Sequence, residues 1–169
     1  MLMSKKENVP LADPTDVASI DAIITAAYDS ISGPVGQKRD WNRLRSLFVT
    51  GARLIPTAKN AGEINVDGKI APHLLDIDGF IARIGDHVEK NGFFEQEIAR
   101  RTEQFDRVAH VWSTYESRCK ADDPEPFMRG INSIQLFHDG GRWWIVSIYW
   151  QQERTECPIP EKYLGGVKN

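Results

Sequence analysis

The chain has few of the features that mark a secreted, membrane-bound or metal-binding protein. Its 169 residues include two cysteines, Cys119 and Cys157, which lie far apart and without the spacing of a metal site. No apolar run approaches the roughly 20 residues needed to span a membrane. The first ten residues also lack the apolar core of a signal peptide. We therefore expect a reduced, cytoplasmic protein with no metal site and no membrane segment.

An excess of positive charge is also missing. The formal net charge is −3 at pH 7, and the basic residues are scattered apart from the pair Arg100-Arg101. A nucleic-acid-binding surface would need such residues gathered into a patch or stripe. The pair Gly140-Gly141 is followed by strand-forming residues, whereas a phosphate loop would be followed by a helix. We expect neither a nucleic-acid partner nor a cofactor.

Four long strand-like segments in the second half of the chain dominate the pattern. They cover residues 93–104, 107–118, 128–139 and 142–152, and each is rich in β-branched or aromatic residues. The glycines of Asp139-Gly140-Gly141-Arg142 suit a tight turn between the last two segments. A largely antiparallel sheet is the prediction for this half.

Three helices are predicted before these strands. The first begins near Asp13-Pro14-Thr15 and ends at Gly33, and the second begins at Asp40 and ends at Gly51. The third begins at about Asp76 and ends at residues 91–92. Each has apolar residues at helical spacing on one face. Residues 52–58 are predicted to form an edge strand because they contain a proline.

The remaining segments contain turn-forming residues. Residues 59–73 are predicted to form a loop or a small hairpin around Asp67-Gly68. Residues 1–12 are expected to be flexible, residues 13–153 to form one domain, and residues 154–169 to form an irregular tail with two prolines and two glycines.

Alternation along the strands predicts which side chains face inward. We centre the last hairpin on Gly140-Gly141 and the first on Phe105-Asp106, and we pair Tyr115 with Asn132. An apolar floor with a few convergent polar groups then lies on one face, which is typical of a small-molecule pocket. The alternative is a hydrogen-bonded ladder that satisfies these groups locally. The predicted ligand-binding residues are Gln96, Ser113, Tyr115, Asn132, Ser147 and Tyr149.

The opposite face carries more aromatic surface than a soluble monomer usually exposes, which indicates a dimer interface. If the two faces were exchanged, the same residues would pack under the helices instead. His110 lies on this face and is interpreted as an interface residue. The predicted interface residues are Trp112, Gln135, Phe137, Trp144 and Trp150.

The order of elements, with the segments FFEQEIARR, VAHVWSTYESR, RGINSIQLF and GRWWIVSIYW, resembles the nuclear transport factor 2-like superfamily. Within it, these segments look like a subgroup of bacterial proteins near the polyketide-cyclase-like (SnoaL-like) branch. The resemblance covers residues 15–152. It implies an α+β, cone-shaped cystatin-like fold in which about three N-terminal helices pack on a curved, mainly antiparallel sheet. It also implies a cavity in the cone and a homodimer formed by the outer face.

The resemblance does not determine the function, because relatives include isomerases, dehydratases, epoxide hydrolases and binding domains. Enzymes of this superfamily generally aim a carboxylate or a histidine into the cone. In the predicted register no strand carboxylate does so. A base would have to come from the helices or loops, where the candidates are Asp76, Asp78, Asp86, His73 and His87. The strand carboxylates predicted to face outward are Glu95, Glu97, Glu103 and Glu116.

We therefore predict no catalytic residue and a small-molecule-binding domain with a partly apolar cavity. Its ligand would be a small apolar or carbonyl-containing compound. The alternative is a cofactor-independent isomerase, dehydratase or cyclase that acts on a hydrophobic carbonyl compound. A third hypothesis is a structural domain whose cavity is filled by side chains such as Phe80 and Trp143.

Overall fold

The computed structural model describes residues 9–57, 72–165 and the backbone of residues 167–168. The predicted hairpin around residues 67–68 lies outside the described residues. The helices are α1 (Ile20–Ile31), α2 (Trp41–Ser46) and α3 (Ile77–Asn91). The strands are β1 (Phe48–Pro56), β2 (Phe94–Phe105), β3 (Val108–Arg118), β4 (Met128–His138), β5 (Trp143–Gln152) and the two-residue β6 (Val167–Lys168).

Each helix begins at a side chain that accepts a hydrogen bond from a free backbone N–H group. Asp40 accepts from Arg43 N and Asp76 from Gly79 N, at 2.9 and 2.7 Å, which confirms both predicted starts. The first helix starts later than predicted: Asp13 caps a short 3-10 turn, and α1 begins after Ser19. The predicted end of α2 at residue 51 was wrong, because Phe48 already belongs to β1.

The strands form one mixed sheet in the order β1-β5-β4-β3-β2-β6. Strands β2 to β5 are antiparallel to their neighbours, whereas β1 runs parallel to β5 and β6 parallel to β2. The helices pack on one face, so the α+β prediction is confirmed. Strand β1 lies at the edge, as the proline in it predicted. The core residues with the least exposure are Ile23, Leu47, Ala109, Val111 and Ile145.

A bulge in the last hairpin changes its predicted register. Leu136 lies opposite Ile145 as expected, but an irregularity follows, and Asn132 then lies opposite Trp150 rather than Tyr149. An inserted residue reverses the side of every residue beyond it. The inward placement of Ser147 and Tyr149 was therefore wrong, and so was the outward placement of Trp150.

A second bulge occurs in β2 at Ile98. The turn between β2 and β3 is Asp106-Arg107, so Phe105 pairs with Val108. For the residues that precede Ile98, the pairing with β3 is shifted by one residue. Tyr115 therefore pairs with Glu97, whereas the predicted partner was Gln96. The four residues before Ile98 therefore lie on the sides opposite to those predicted.

Arg39 ties the ends of two helices together. Its buried guanidinium donates to Ile31 O and Gly33 O at the end of α1 and to Val88 O near the end of α3, at 3.0, 2.6 and 3.0 Å. Glycine at residue 33 leaves room for this guanidinium, because a Cβ atom there would lie 2.7 Å from Arg39 Nη1. The other end of α3 is held just before its first residue, where the backbones of Leu75 and Leu54 exchange two hydrogen bonds of 2.9 and 3.0 Å.

Replacing Arg39 with methionine is expected to lower the free energy of unfolding by about 3 kcal/mol, since it leaves several buried carbonyls without a donor. Urea unfolding at neutral pH measures this loss. Arg53→Met is the matched control, because exposed Arg53 donates only to Gly51 O and Ala52 O nearby. The control is expected to change stability by less than about 0.5 kcal/mol. Equal losses in the two variants would contradict the role assigned to Arg39.

Candidate functional site

A cavity of about 390 Å³ lies between the inner face of the sheet and the helices. Its walls are mainly apolar, and helix α3 covers it through Phe80, Ile84 and Val88. Phe80 meets Trp150 of β5 edge to face, with ring centroids 6.0 Å apart. Neither this pair nor Trp143, which belongs to the core, fills the space. The cavity is large enough for a small bicyclic compound.

The bulge at Ile98 brings Glu95 into this cavity. Ser117, its partner on β3, donates its hydroxyl to Glu95 Oε2 at 2.8 Å. Burial raises the pKa of the Glu95 carboxyl to about 7, and the bond from Ser117 offsets only part of this effect. Near neutral pH the carboxyl can therefore both release and accept a proton.

Tyr115 supplies a hydroxyl close to this carboxyl. It lies two residue pairs further along the sheet and opposite Gly130, so it is a diagonal neighbour of Glu95 on the same face. A Cβ atom on residue 130 would lie 2.5 Å from Tyr115 Oη, and therefore only glycine leaves room for the ring. Burial and the charge of Glu95 both raise the pKa of Tyr115, which keeps its proton at neutral pH. Within the described residues, no protein group accepts that proton.

Tyr28 of α1 supplies a second hydroxyl. Its Oη lies 2.7 Å from Ser113 Oγ and accepts a hydrogen bond of 3.0 Å from Asn132 Nδ2. Tyr28 and Asn132 line the cavity, whereas Ser113 is fully buried beneath them. Burial raises the pKa of Tyr28 well above its usual range. This group of three residues is therefore neutral and fixed in position.

A buried ion pair lies behind Ser113. Ser113 donates its hydroxyl to Glu97, and Glu97 Oε1 accepts from Arg100 at 2.7 to 2.9 Å. Arg100 also pairs with Asp21 at the start of α1. Arg100 has a 5% exposed side chain and Glu97 an 11% exposed one, so the two charges compensate each other away from water.

The cavity contains some of the predicted ligand-binding residues and not others. Tyr115 and Asn132 line it, and Ser113 supports it from below. Gln96 is exposed on the outer face, where its Nε2 donates to Glu116 at 2.6 Å. Ser147 and Tyr149 also lie on the outer face, and Tyr149 is 48% exposed. The ligand-binding role of the lining residues stays a prediction.

Glu95 and Tyr28 were missed in the sequence. The outward placement of Glu95 and Glu97 was wrong because of the bulge in β2. Tyr28 follows Ile24 by four residues, and this helical spacing was a usable signal for the same buried face. Of the candidate bases outside the sheet, His87 lines the mouth of the cavity and His73 contacts Arg83. Asp76 caps α3, and Asp78 and Asp86 pair with Arg45 and Lys90.

The outer face carries the other predicted interface residues, Trp112, Gln135, Phe137 and Trp144. Two of these indoles already contact other groups of the chain. Trp112 packs against Tyr163 of the tail at 5.8 Å between centroids, and the Arg142 guanidinium lies 3.5 Å from the Trp144 ring centroid. The tail is thus attached to the sheet, through a 3-10 turn (Glu161–Tyr163) and β6.

In the part of the chain that the structure describes, no three His, Cys, Asp or Glu side chains are grouped so as to hold a metal ion. No described helix is both long and apolar enough to cross a membrane. Cys119 and Cys157 are exposed and unpaired.

Comparison with solved structures identifies the fold. A protein of unknown function with a cystatin-like fold from Nostoc punctiforme is similar over 82% of this chain and 91% of its own, with a TM-score of 0.59 and 12% identity. A protein from Novosphingobium aromaticivorans that is assigned as a scytalone dehydratase is similar over 81% of this chain and 83% of its own, with a TM-score of 0.55 and 13% identity. A hexachlorocyclohexane dehydrochlorinase, LinA type 2, is similar over 81% of this chain and 84% of its own, with a TM-score of 0.53 and 9% identity.

These likenesses show that the chain has the cystatin-like fold of the nuclear transport factor 2-like proteins, as its sequence predicted. No protein-family model matches the chain. No curated protein matches its sequence either.

Glu95→Gln is expected to abolish a loss of stability at alkaline pH. A carboxyl whose pKa rises on folding from 4.5 to about 7 stabilises the fold fully below pH 4.5, and this contribution is lost as the pH rises through 7. The penalty on the ionised form approaches about 3 kcal/mol well above pH 7. Urea unfolding between about pH 5 and about pH 8.5 measures it.

The glutamine variant should give the flatter profile and be the more stable protein at the alkaline end. Glu103→Gln is the matched control, because Glu103 is an exposed carboxylate on the same strand. The control should retain the wild-type profile. An unchanged alkaline loss in Glu95→Gln would show that another group causes it.

Proposed function

We propose that this protein binds a small, largely apolar carbonyl compound in its cavity and catalyses a cofactor-independent proton transfer on it, as an isomerase or a dehydratase does. The observation that carries the proposal is the position of Glu95, a carboxyl in a mainly apolar cavity that Tyr115 also lines. Binding is the first part of the proposal, and it requires only the cavity. Catalysis is the second part, and it depends on Glu95.

The chemistry follows from these two groups. The ionised Glu95 carboxylate would remove a proton from the carbon next to the ligand carbonyl, and a pKa near the working pH suits this role. Negative charge then develops on the carbonyl oxygen. Tyr115 would donate a hydrogen bond to that oxygen from a site that excludes bulk water. The protonated Glu95 would return the proton at another carbon or to a leaving hydroxyl.

The names of two structural neighbours support the reaction class. Dehydratase and dehydrochlorinase both describe the removal of a small molecule together with a substrate proton. At 13% and 9% identity these proteins are similar to the chain in fold. The reaction class therefore depends on the geometry of Glu95 and Tyr115.

The test is the exchange of the α-protons of 1-tetralone into D₂O, followed by proton NMR. The wild-type protein is expected to accelerate the exchange, and the rate should rise with pH and level off above about pH 7, because the ionised carboxylate is the base. Glu95→Gln should lower the rate by about 100-fold or more. Tyr115→Phe should lower it by about 10- to 100-fold.

Glu103→Gln again serves as the control and should exchange at the wild-type rate. Thermal shift with the same ketone measures binding separately. Binding of 1-tetralone without exchange would refute the catalytic part and leave a binding domain. The absence of both would refute the whole proposal.

We also propose a cytoplasmic homodimer that associates through the outer face of β4 and β5. Phe137, Val146 and Tyr149 are 38, 39 and 48% exposed there, which is unusual for large apolar side chains on neighbouring strands. Two exposed, unpaired cysteines favour a reducing compartment.

Val146→Glu is expected to weaken the dimer, because it places a charge in the middle of this apolar surface. Sedimentation velocity over a range of protein concentrations should show the shift toward monomer. Leu74→Glu is the control, since Leu74 is 61% exposed in the segment before α3. A wild-type protein that sediments as a monomer would exclude the dimer.

A further inference from the structure

A hydrogen-bond network surrounds Tyr28 at the wall of the cavity. We propose that Tyr28 acts on the ligand as a hydrogen-bond acceptor and Tyr115 as a donor, so that the cavity selects a hydroxyketone, a compound with a hydroxyl and a carbonyl on one small apolar frame. This inference rests on the proposed function, since it names the substrate class of the same cavity.

The direction of each hydrogen bond follows from counting protons. A hydroxyl has one hydrogen to donate and two lone pairs that accept. The Ser113 hydrogen points to the carboxylate of Glu97, which can only accept. In the bond between Tyr28 and Ser113, Tyr28 is therefore the donor. The same count orients Asn132, whose Nδ2 donates to Tyr28.

Tyr28 consequently has no hydrogen left for a ligand. Its oxygen retains one lone pair, which only a donor such as a ligand hydroxyl can use. The contact of Glu97 with Arg100 fixes this state, because Arg100 donates to both oxygens of Glu97 and leaves them as acceptors toward Ser113. Asp21 holds the other side of the Arg100 guanidinium. Glu97 and Arg100 are thus positioning residues, which act on the ligand through Ser113 and Tyr28.

Tyr115 has the opposite polarity. Its proton has no acceptor among the residues that the structure describes, and its raised pKa keeps that proton in place. Tyr115 Oη lies against Gly130, and Tyr28 Oη is held by Asn132, which is two residues, or roughly 7 Å, further along β4. Oxygens at opposite positions of one six-membered ring are somewhat closer together, and each can reach its tyrosine through a hydrogen bond. One ring can therefore present a carbonyl to Tyr115 and a hydroxyl to Tyr28.

The experiment compares three probes by isothermal titration calorimetry: 1-tetralone, 4-hydroxy-1-tetralone and 4-methoxy-1-tetralone. The methoxy compound has an acceptor where the hydroxy compound has a donor. The wild-type protein is expected to bind the hydroxy compound about tenfold more tightly than the methoxy compound. In Ser113→Ala the Tyr28 hydrogen is released to serve a methoxy oxygen, and the ratio should fall to about two or below.

Ser133→Ala is the matched control, because Ser133 lies on the outer face of β4 beside His110. It should keep the wild-type ratio. The bulk of the methoxy methyl group and the second Asn132 N–H affect binding equally in the wild-type protein, Ser113→Ala and Ser133→Ala. A difference in the affinity ratio between these proteins therefore reports on Tyr28 alone. If Ser113→Ala does not fold, Tyr28→Phe replaces it and should also lose the preference for the hydroxyl.

The outcomes separate this inference from the proposed function. Binding of 1-tetralone with no hydroxyl preference, or with a preference that Ser113→Ala leaves intact, would overturn the inference and leave the proposed function standing. A failure of all three probes to bind would overturn both.

Discussion

A single extra residue, Ile98 in β2, is the constraint on which the site depends. Because β2 bulges there, two carboxylates that simple alternation would send to solvent face the helices instead. Burying a carboxylate is unfavourable unless it is paired. Glu97 is paired with Arg100, whereas Glu95 has one neutral donor and an elevated pKa. One distortion of the backbone thus produces a fixed charge and a titratable acid, two groups with different roles in one interior.

The space around Glu95 exists because the neighbouring positions hold small or firmly anchored groups. Gly130 leaves room for the Tyr115 ring, and Ala27 of α1 lines the cavity next to Tyr28. Hydrogen bonds to Ser113 and Asn132 hold Tyr28 against the sheet, so its ring does not move into the hollow. The interior is therefore tightly packed around Tyr28, Ser113 and Asn132, and the cavity lies next to this group. A ligand would meet groups that are already oriented, which lowers the entropic cost of binding them.

The sequence predicted the elements far better than the site. The helix starts at Asp40 and Asp76 were readable because capping depends on a few adjacent residues. The inward faces of β3 and β4 were also assigned correctly, because no bulge interrupts the pairing of these two strands. The predicted pairing of Tyr115 with Asn132 was wrong by two residues, a shift that leaves every side chain on its face. The alternation of side chains along a strand does not reveal where a β-bulge inserts a residue. Glu95, Tyr149 and Trp150 were therefore placed on the wrong faces. The spacing of Tyr28 from Ile24 indicated a buried side chain, but its contact with Ser113 depends on how α1 packs on the sheet.

The attachment of α3 at both ends has a consequence for ligand exchange. Arg39 holds the carbonyls near its last turn, and the backbone pairing of Leu75 with Leu54 holds the chain before its first turn. A helix fixed in this way cannot swing as a hinged flap. Compounds would instead enter past the exposed side chain of His87 at the mouth. Rotamer changes of an exposed side chain take picoseconds to nanoseconds, which is far faster than the movement of a whole helix.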